Sequence, residues 1–103
     1  MYIKQKCNEV LQHVMQLFKK KYKPDCEYIV NIKDIKIDFQ FKIHPPHRLK
    51  YQARKKYYIE NGTFYSKILL DQDFILVDGY TSYLIAKEFK LDKVPVYFCK
   101  NVD

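Results

Sequence analysis

Tryptophan is absent from this 103-residue chain, glycine occurs only twice and cysteine only three times. Cys7, Cys26 and Cys99 are odd in number and far apart. That excludes a disulfide framework and points to free thiols in a reducing, cytoplasmic setting. No apolar run approaches the roughly 18 residues that a membrane span needs, so no membrane partner is expected. The N-terminus, MYIKQKCNEVLQHVMQLFKKKYK, mixes charges among its apolar residues and has no small-residue cleavage site, unlike a secretory signal. His44 and His47 stand three apart, but a prolyl pair separates them and no second ligand pair is visible, so no metal centre is expected. Repeats, low-complexity tracts and linkers are also lacking, which leaves one domain, residues 1–103.

What is present is a core and a charge. Apolar residues make up 48% of the chain and aromatic residues 17%, which argues against disorder. The net charge of +7 favours solubility and suits nucleic acid, nucleotides or an anionic surface. It is concentrated: from Phe39 to Ile59 the chain carries Lys42, Arg48, Lys50, Arg54, Lys55 and Lys56 with no Asp or Glu. Tyr51, Tyr57 and Tyr58 are interleaved. Such a run reads either as a solvated helix face or as a wall that grips phosphates by charge and bases by stacking.

The pattern of apolar residues gives the elements. Residues 3–22 read as an amphipathic helix with Val10, Val14, Leu17 and Phe18 in one stripe and Pro24 as its stop. CEYIVNI, from Cys26 to Ile32, reads as a strand. Asp34 to Phe41 alternates, with Ile35, Ile37, Phe39 and Phe41 on one face, and reads as a second strand joined to the first by a hairpin turn. The prolines at 45 and 46 lead into a helix over Leu49–Glu60, whose buried line is Leu49, Ala53 and Tyr57 and whose end is marked by Asn61-Gly62. Lys67–Asp71 and Phe74–Val77 read as an antiparallel hairpin turning near Gln72. A helix over Tyr80–Phe89 follows, burying Ser82, Ile85, Ala86 and Phe89. Val94 to Phe98 returns as a short strand, its proline suited to a sheet edge or a strand start. The fold class is α/β or α+β, a small mixed sheet with three helices.

The stretch that organises the chain is LVDGYTSYLIAKEFKLDKVPV, residues 76–96. An Asp-Gly turn before a helix presents unpaired backbone N–H groups and a partial positive charge, which suits phosphate. Gly79 permits a left-handed turn or the close approach of a ligand. Thr81 and Ser82 add hydroxyls. Asp78 either caps the helix, accepting from the N–H of Tyr80 or Thr81, or faces the ligand.

The same stretch resembles the ParB/sulfiredoxin superfamily segment that in outline reads LVDGERRLRAAKxLGLxxVPV. Leu76, Val77, Asp78, Gly79, Ala86, Lys87, Leu91, Val94, Pro95 and Val96 are in register. The resemblance covers residues 25–103 as the superfamily core and leaves 1–24 as an added N-terminal helix. In ParB proteins, Glu and Arg after the glycine bind nucleotide triphosphate. Here Tyr80, Thr81 and Ser82 stand there. In sulfiredoxins a catalytic Cys follows the glycine, and its replacement by Tyr80 excludes that chemistry. Arg48, after His44-Pro45-Pro46-His47, resembles in position the superfamily's upstream phosphate-binding N-P-x-x-P-R element.

The resemblance implies a ParB-like binding domain for a nucleotide or for nucleic-acid phosphates, of the kind found among plasmid or phage accessory proteins. Gly79, Tyr80, Thr81 and Ser82 would form one wall of its pocket, with Arg48 and Lys50 opposite. Arg54, Lys55 and Lys56 would extend the surface to nucleic acid. A nucleotide, with or without Mg²⁺, is the implied cofactor. Two alternatives stand beside it. One is a nuclease or nucleotide-using enzyme with Asp78 as base or metal ligand. The other is a protein-interaction module that has lost the pocket chemistry.

Overall fold

The computed structural model describes residues 22–100. The amphipathic helix expected over residues 3–22 lies outside them, apart from Tyr22. Four strands form one sheet: β1 (Tyr28–Asn31), β2 (Ile68–Leu70), β3 (Leu76–Asp78) and β4 (Lys93–Phe98). Their order across the sheet is β1-β4-β2-β3. β4 pairs antiparallel with β1 and parallel with β2, and β2 pairs antiparallel with β3. Three helices accompany the sheet: α1 (Phe39–Ile43), α2 (Arg48–Asn61) and α3 (Tyr80–Glu88). The fold is α+β with a mixed sheet.

Alternation sorts the strands into two faces. Val94, Val96 and Phe98 of β4 are buried with Ile68 and Leu70 of β2 and Leu76 of β3. Ile32, Ile35 and Ala86 complete that core, with Ile85 of α3 also buried. Tyr22 closes it at the end of β4, stacked on Phe98 with ring centroids 4.1 Å apart. Pro95 sits inside β4, a central strand rather than an edge. It is accommodated because β4 has only β1 beside it there; pairing with β2 begins one residue later, at Val96.

The expected strand over Asp34–Phe41 does not form. Ile32–Asp34 is a 3-10 turn, only Lys36 pairs, in an isolated parallel bridge to Ile75, and α1 begins at Phe39. The reason is local. The Asp38 carboxylate accepts from the N–H of Gln40 at 2.9 Å, capping a helix where alternation alone favoured a ladder. The expected hairpin between the first two runs is therefore absent, and β1 finds β4 instead.

The hairpin β2–β3 forms, but its second strand runs over Leu76–Asp78 rather than from Phe74, which lies in the turn with a left-handed backbone at φ 66°. Asp71 Oδ1 accepts from the N–H of Asp73 and of Ile75 at 2.8 and 2.9 Å, which fixes the turn and delivers the chain to Gly79. α3 buries Thr81, Ser82, Ile85 and Ala86. Phe89, expected on that face, is the helix's C-terminal cap and is exposed. The helix closes by a Schellman pattern: Leu91 N–H donates to the Ala86 carbonyl and Lys90 N–H to that of Lys87, with Lys90 left-handed at φ 57°.

α2 begins with His47, whose Nδ1 accepts from Leu49 N–H at 3.2 Å, and ends at left-handed Gly62, whose N–H donates to Tyr58. Its expected buried line is wrong: Leu49 is 70% exposed, and Ala53 and Tyr57 also face solvent. The half-buried face is Tyr51, Arg54, Lys55 and Tyr58, the same periodicity in another register. Tyrosine rings and the stems of basic residues make this contact, and the Nε of Arg54 is buried in it without a hydrogen-bond partner among the described residues.

Candidate functional site

β3 feeds directly into α3 through Gly79. The glycine is left-handed at φ 87°, and it is buried because the chain crosses closely behind it. A Cβ there would collide with the Lys67 carbonyl oxygen and come within 2.8 Å of Ile68 Cα. Close packing of the turn against the start of β2 is thus one requirement for glycine at this position. Ser82 reinforces the same junction: its hydroxyl donates to the Ser66 carbonyl at 2.7 Å, and the residue is only 3% exposed.

In front of the turn lies a cavity of about 190 Å³. Asp78, Gly79, Tyr80 and Thr81 form its floor. Phe41 and His44, at the end of α1, and Pro46 form one side. Lys50 from the first turn of α2 and Ser66 form the other. Phe41 and Tyr80 are in ring contact, centroids 5.2 Å apart, and Tyr80 stacks toward Tyr83 at 6.1 Å. Thr81 is only 8% exposed, yet its hydroxyl has no hydrogen-bond partner among the described residues. Lys50 is exposed and makes no ion pair among those residues. The Asp78 carboxylate accepts from Gly79 N–H at 2.8 Å rather than from Tyr80 or Thr81. No side chain of the described residues caps α3, so the N–H groups of its first turn are uncapped where Tyr80 and Thr81 line the cavity.

The residues expected at the site separate into groups. Gly79, Tyr80, Thr81, Lys50 and Asp78 come together around the cavity. Ser82 belongs to the packing behind it. Arg48 is exposed on α2 and does not line the cavity. Of the three residues expected to reach nucleic acid, Arg54 lies over the Tyr65 ring, 3.8 Å from its centroid. Lys55 pairs with Glu88 of α3, and Lys56 is exposed. His47 is used as the cap of α2, and His44 reaches the cavity. Phe41, Pro46 and Ser66 had not been anticipated as lining residues. Phe41 was masked by its place in an alternating run, and Ser66 carries no sequence signal at all.

α2 and α3 are held together by a polar clasp at the C-terminal end of α3. Tyr51 O–H donates to Glu88 Oε1 at 2.6 Å, and Lys55 pairs with the other carboxylate oxygen. Hydrogen bonding from Lys55 and then Tyr51 lowers the Glu88 pKa below its ordinary value. Burial, with the hydrogen bond to Glu88 and its charge adding to it, pushes the Tyr51 phenol from 10.0 up to about 12.

A larger cavity of about 290 Å³ lies on the far side of Ser66, walled by Tyr58, Phe64, Leu91, Pro95 and Tyr97. Aromatic and aliphatic residues make up most of its walls, with Glu27, Thr63, Ser66 and Lys67 among them, and no helix N-terminus of the described residues lines it. The smaller cavity differs in having the N-terminus of α3 in its wall beside a hydroxyl and a cation.

No family model and no curated protein matches the chain. Solved structures do. A pNOB8-like ParB N-domain superposes with a TM-score of 0.60 at 26% identity, over 71% of this chain and 29% of that one. The C-terminally truncated chromosome-partitioning protein ParB from Caulobacter crescentus, complexed with CTP-gamma-S, gives 0.58 at 14% identity, over 76% of this chain and 46% of that one. A free serine kinase mutant in complex with AMP gives 0.59 at 16% identity, over 79% of this chain and 35% of that one. The chain has a ParB-like fold, and it is a divergent example of it. It spans less than half the length of each of these three chains.

Proposed function

We propose that this chain is a ParB-like binding domain for a nucleotide, with the phosphate end of the ligand at the first turn of α3. The observation that carries the reading is Thr81. A hydroxyl on a nearly buried residue, without a protein partner and on the wall of a cavity, is a donor waiting for a ligand. The N–H groups of α3 and the unpaired Lys50 converge on the same space, and all three donor types favour an anion. The ParB-like fold, with one similar structure holding CTP-gamma-S and another AMP, supports a nucleotide as that anion. Phe41 and Tyr80 offer an aromatic surface for the ligand's base or sugar.

Titration calorimetry with AMP and CTP tests this. Lys50→Ala removes a charge-assisted bond and should weaken binding about tenfold or more, since such bonds contribute about 1.5–3 kcal/mol. Thr81→Ala removes a neutral bond and should weaken it by a smaller factor without lowering the melting temperature. Ser82→Ala, one residue on, should do the reverse, because its hydroxyl serves the Ser66 carbonyl. Wild-type affinity in both Lys50→Ala and Thr81→Ala would remove the site. Release of phosphate from CTP in the presence of Mg²⁺, abolished by Asp78→Asn, would favour the enzyme reading over a binding domain.

A further inference from the structure

The charges and donors around Gly79 bear on how many phosphates the ligand carries. Among the described residues the cavity is lined by one cationic lysine, Lys50, and one carboxylate, Asp78. These two formal charges cancel. What remains for an anion is the N-terminus of α3, equivalent to roughly half a positive charge, and hydrogen bonding from Thr81 and His44. Arg48, the cation that the superfamily resemblance places opposite the turn, stands outside the cavity. Arg54 is committed to the Tyr65 ring and Lys55 to Glu88. Even the donors at the turn are partly spent: Gly79 N–H is taken by the protein's own Asp78 carboxylate. That carboxylate occupies a place where a second or third phosphate would look for a donor.

The volume points the same way. At about 190 Å³ the cavity is smaller than the roughly 300–1,000 Å³ of pockets that enclose a drug-sized ligand. It has room for a phosphate and the adjoining sugar, with the base laid on Phe41 and Tyr80. A single terminal phosphate carries about −1.5 to −2 near neutral pH. Each added phosphate brings more charge and no new cationic partner among the described lining residues.

We infer that the Gly79 cavity takes a nucleoside monophosphate in preference to the corresponding di- or triphosphate, and takes it without a divalent cation. This rests on the nucleotide reading above. The Thr81 hydroxyl, accessible from the cavity on a residue only 8% exposed and unpartnered among the described residues, marks where the one phosphate sits. Asp78 is the specificity-determining residue: it repels a chain of phosphates more than a single one.

The test is calorimetry of the wild-type protein with AMP, ADP and ATP and with CMP, CDP and CTP, each with and without Mg²⁺. The expected result is that one monophosphate binds at least tenfold tighter than its triphosphate, with no gain from Mg²⁺. Asp78→Asn, which keeps an acceptor for Gly79 N–H, should improve triphosphate binding more than monophosphate binding and narrow that ratio. A triphosphate that binds tighter than its monophosphate would overturn the inference and leave the nucleotide reading standing. So would a ratio that Asp78→Asn leaves unchanged. No heat with any of the six at millimolar concentration would overturn the nucleotide reading itself, and the inference with it.

Discussion

α2 and α3 flank the same cavity and are built on opposite principles. α3 buries four residues against the sheet and presents its N-terminus to the cavity. α2 buries none, yet it supplies Lys50 to the cavity and meets α3 through tyrosines, basic side chains and the Glu88 clasp. One helix is fixed by the apolar core, the other by amphipathic side chains at a half-wet contact. Stability should therefore reside in α3 and its turn. The cation that lines the cavity, Lys50, resides in α2, where substitution should cost the fold little.

The hardest way to break this contrast is Ala86→Asp. Ala86 is 0% exposed within the core. An unpaired carboxylate there should cost about 3 kcal/mol or more. Urea unfolding checks it, and an unchanged midpoint would mean that α3 does not face the sheet. The two glycines give the next largest effect. Gly62 and Gly79 are both left-handed, at φ 73° and 87°, but a Cβ at Gly62 meets nothing within 4 Å. Gly62→Ala should cost about 1 kcal/mol of backbone strain. Gly79→Ala adds a collision with the Lys67 carbonyl and should cost clearly more. Equal losses would mean that the chain behind Gly79 yields, and that the tight junction with β2 is not needed.

Legibility in the sequence follows the same division. The segment from Phe74 to Phe98 was readable because its core contacts are made by aliphatic residues at strand and helix spacing and its turn by Asp-Gly. The hairpin, α3 and β4 all form there, although the second hairpin strand starts two residues late, because Phe74 takes a left-handed turn conformation. The segment from Asp34 to Tyr57 was misread twice. Asp38 turned an alternating run into a helix start. In α2 the spacing of Leu49 and Ala53 marks a core line, but tyrosine and basic stems pack instead. Of the site, the turn and Lys50 were legible; Phe41 and Ser66 were brought in by tertiary folding, and Arg48 was left outside.

The clasp between the helices is a smaller lever and has a pH signature. The Glu88 pKa is lowered by its partners, so its contribution is present above the unfolded-state pKa and is lost as pH falls through the folded value. The Tyr51 pKa is raised to about 12, so its contribution is complete below its ordinary 10.0 and is lost as pH rises through about 12. Tyr51→Phe should cost about 1 kcal/mol at neutral pH. It should also remove the alkaline loss between those two values. Thermal melts of both proteins across pH 9–12 would show it, and parallel curves would mean that the Tyr51–Glu88 bond does not persist in solution.

The smallest effect is expected on the outer face of α2. Leu49, Ala53 and Tyr57 lie at i, i+4 and i+8, a spacing that ordinarily marks a buried line, yet all three face solvent among the described residues. A leucine that is already exposed gains no transfer free energy on folding, and leucine and glutamine have similar helix propensities. Leu49→Gln should therefore change stability by no more than about 0.5 kcal/mol. Nucleotide affinity should also hold, because Leu49 does not line the cavity although its neighbour Lys50 does. Chemical unfolding at two protein concentrations is the sharper measurement. A loss above 1 kcal/mol at both would mean that this face packs within the chain. A loss that appears only at the higher concentration would mean that it packs against a second copy. Either result would make α2 a second apolar helix and end the contrast with α3.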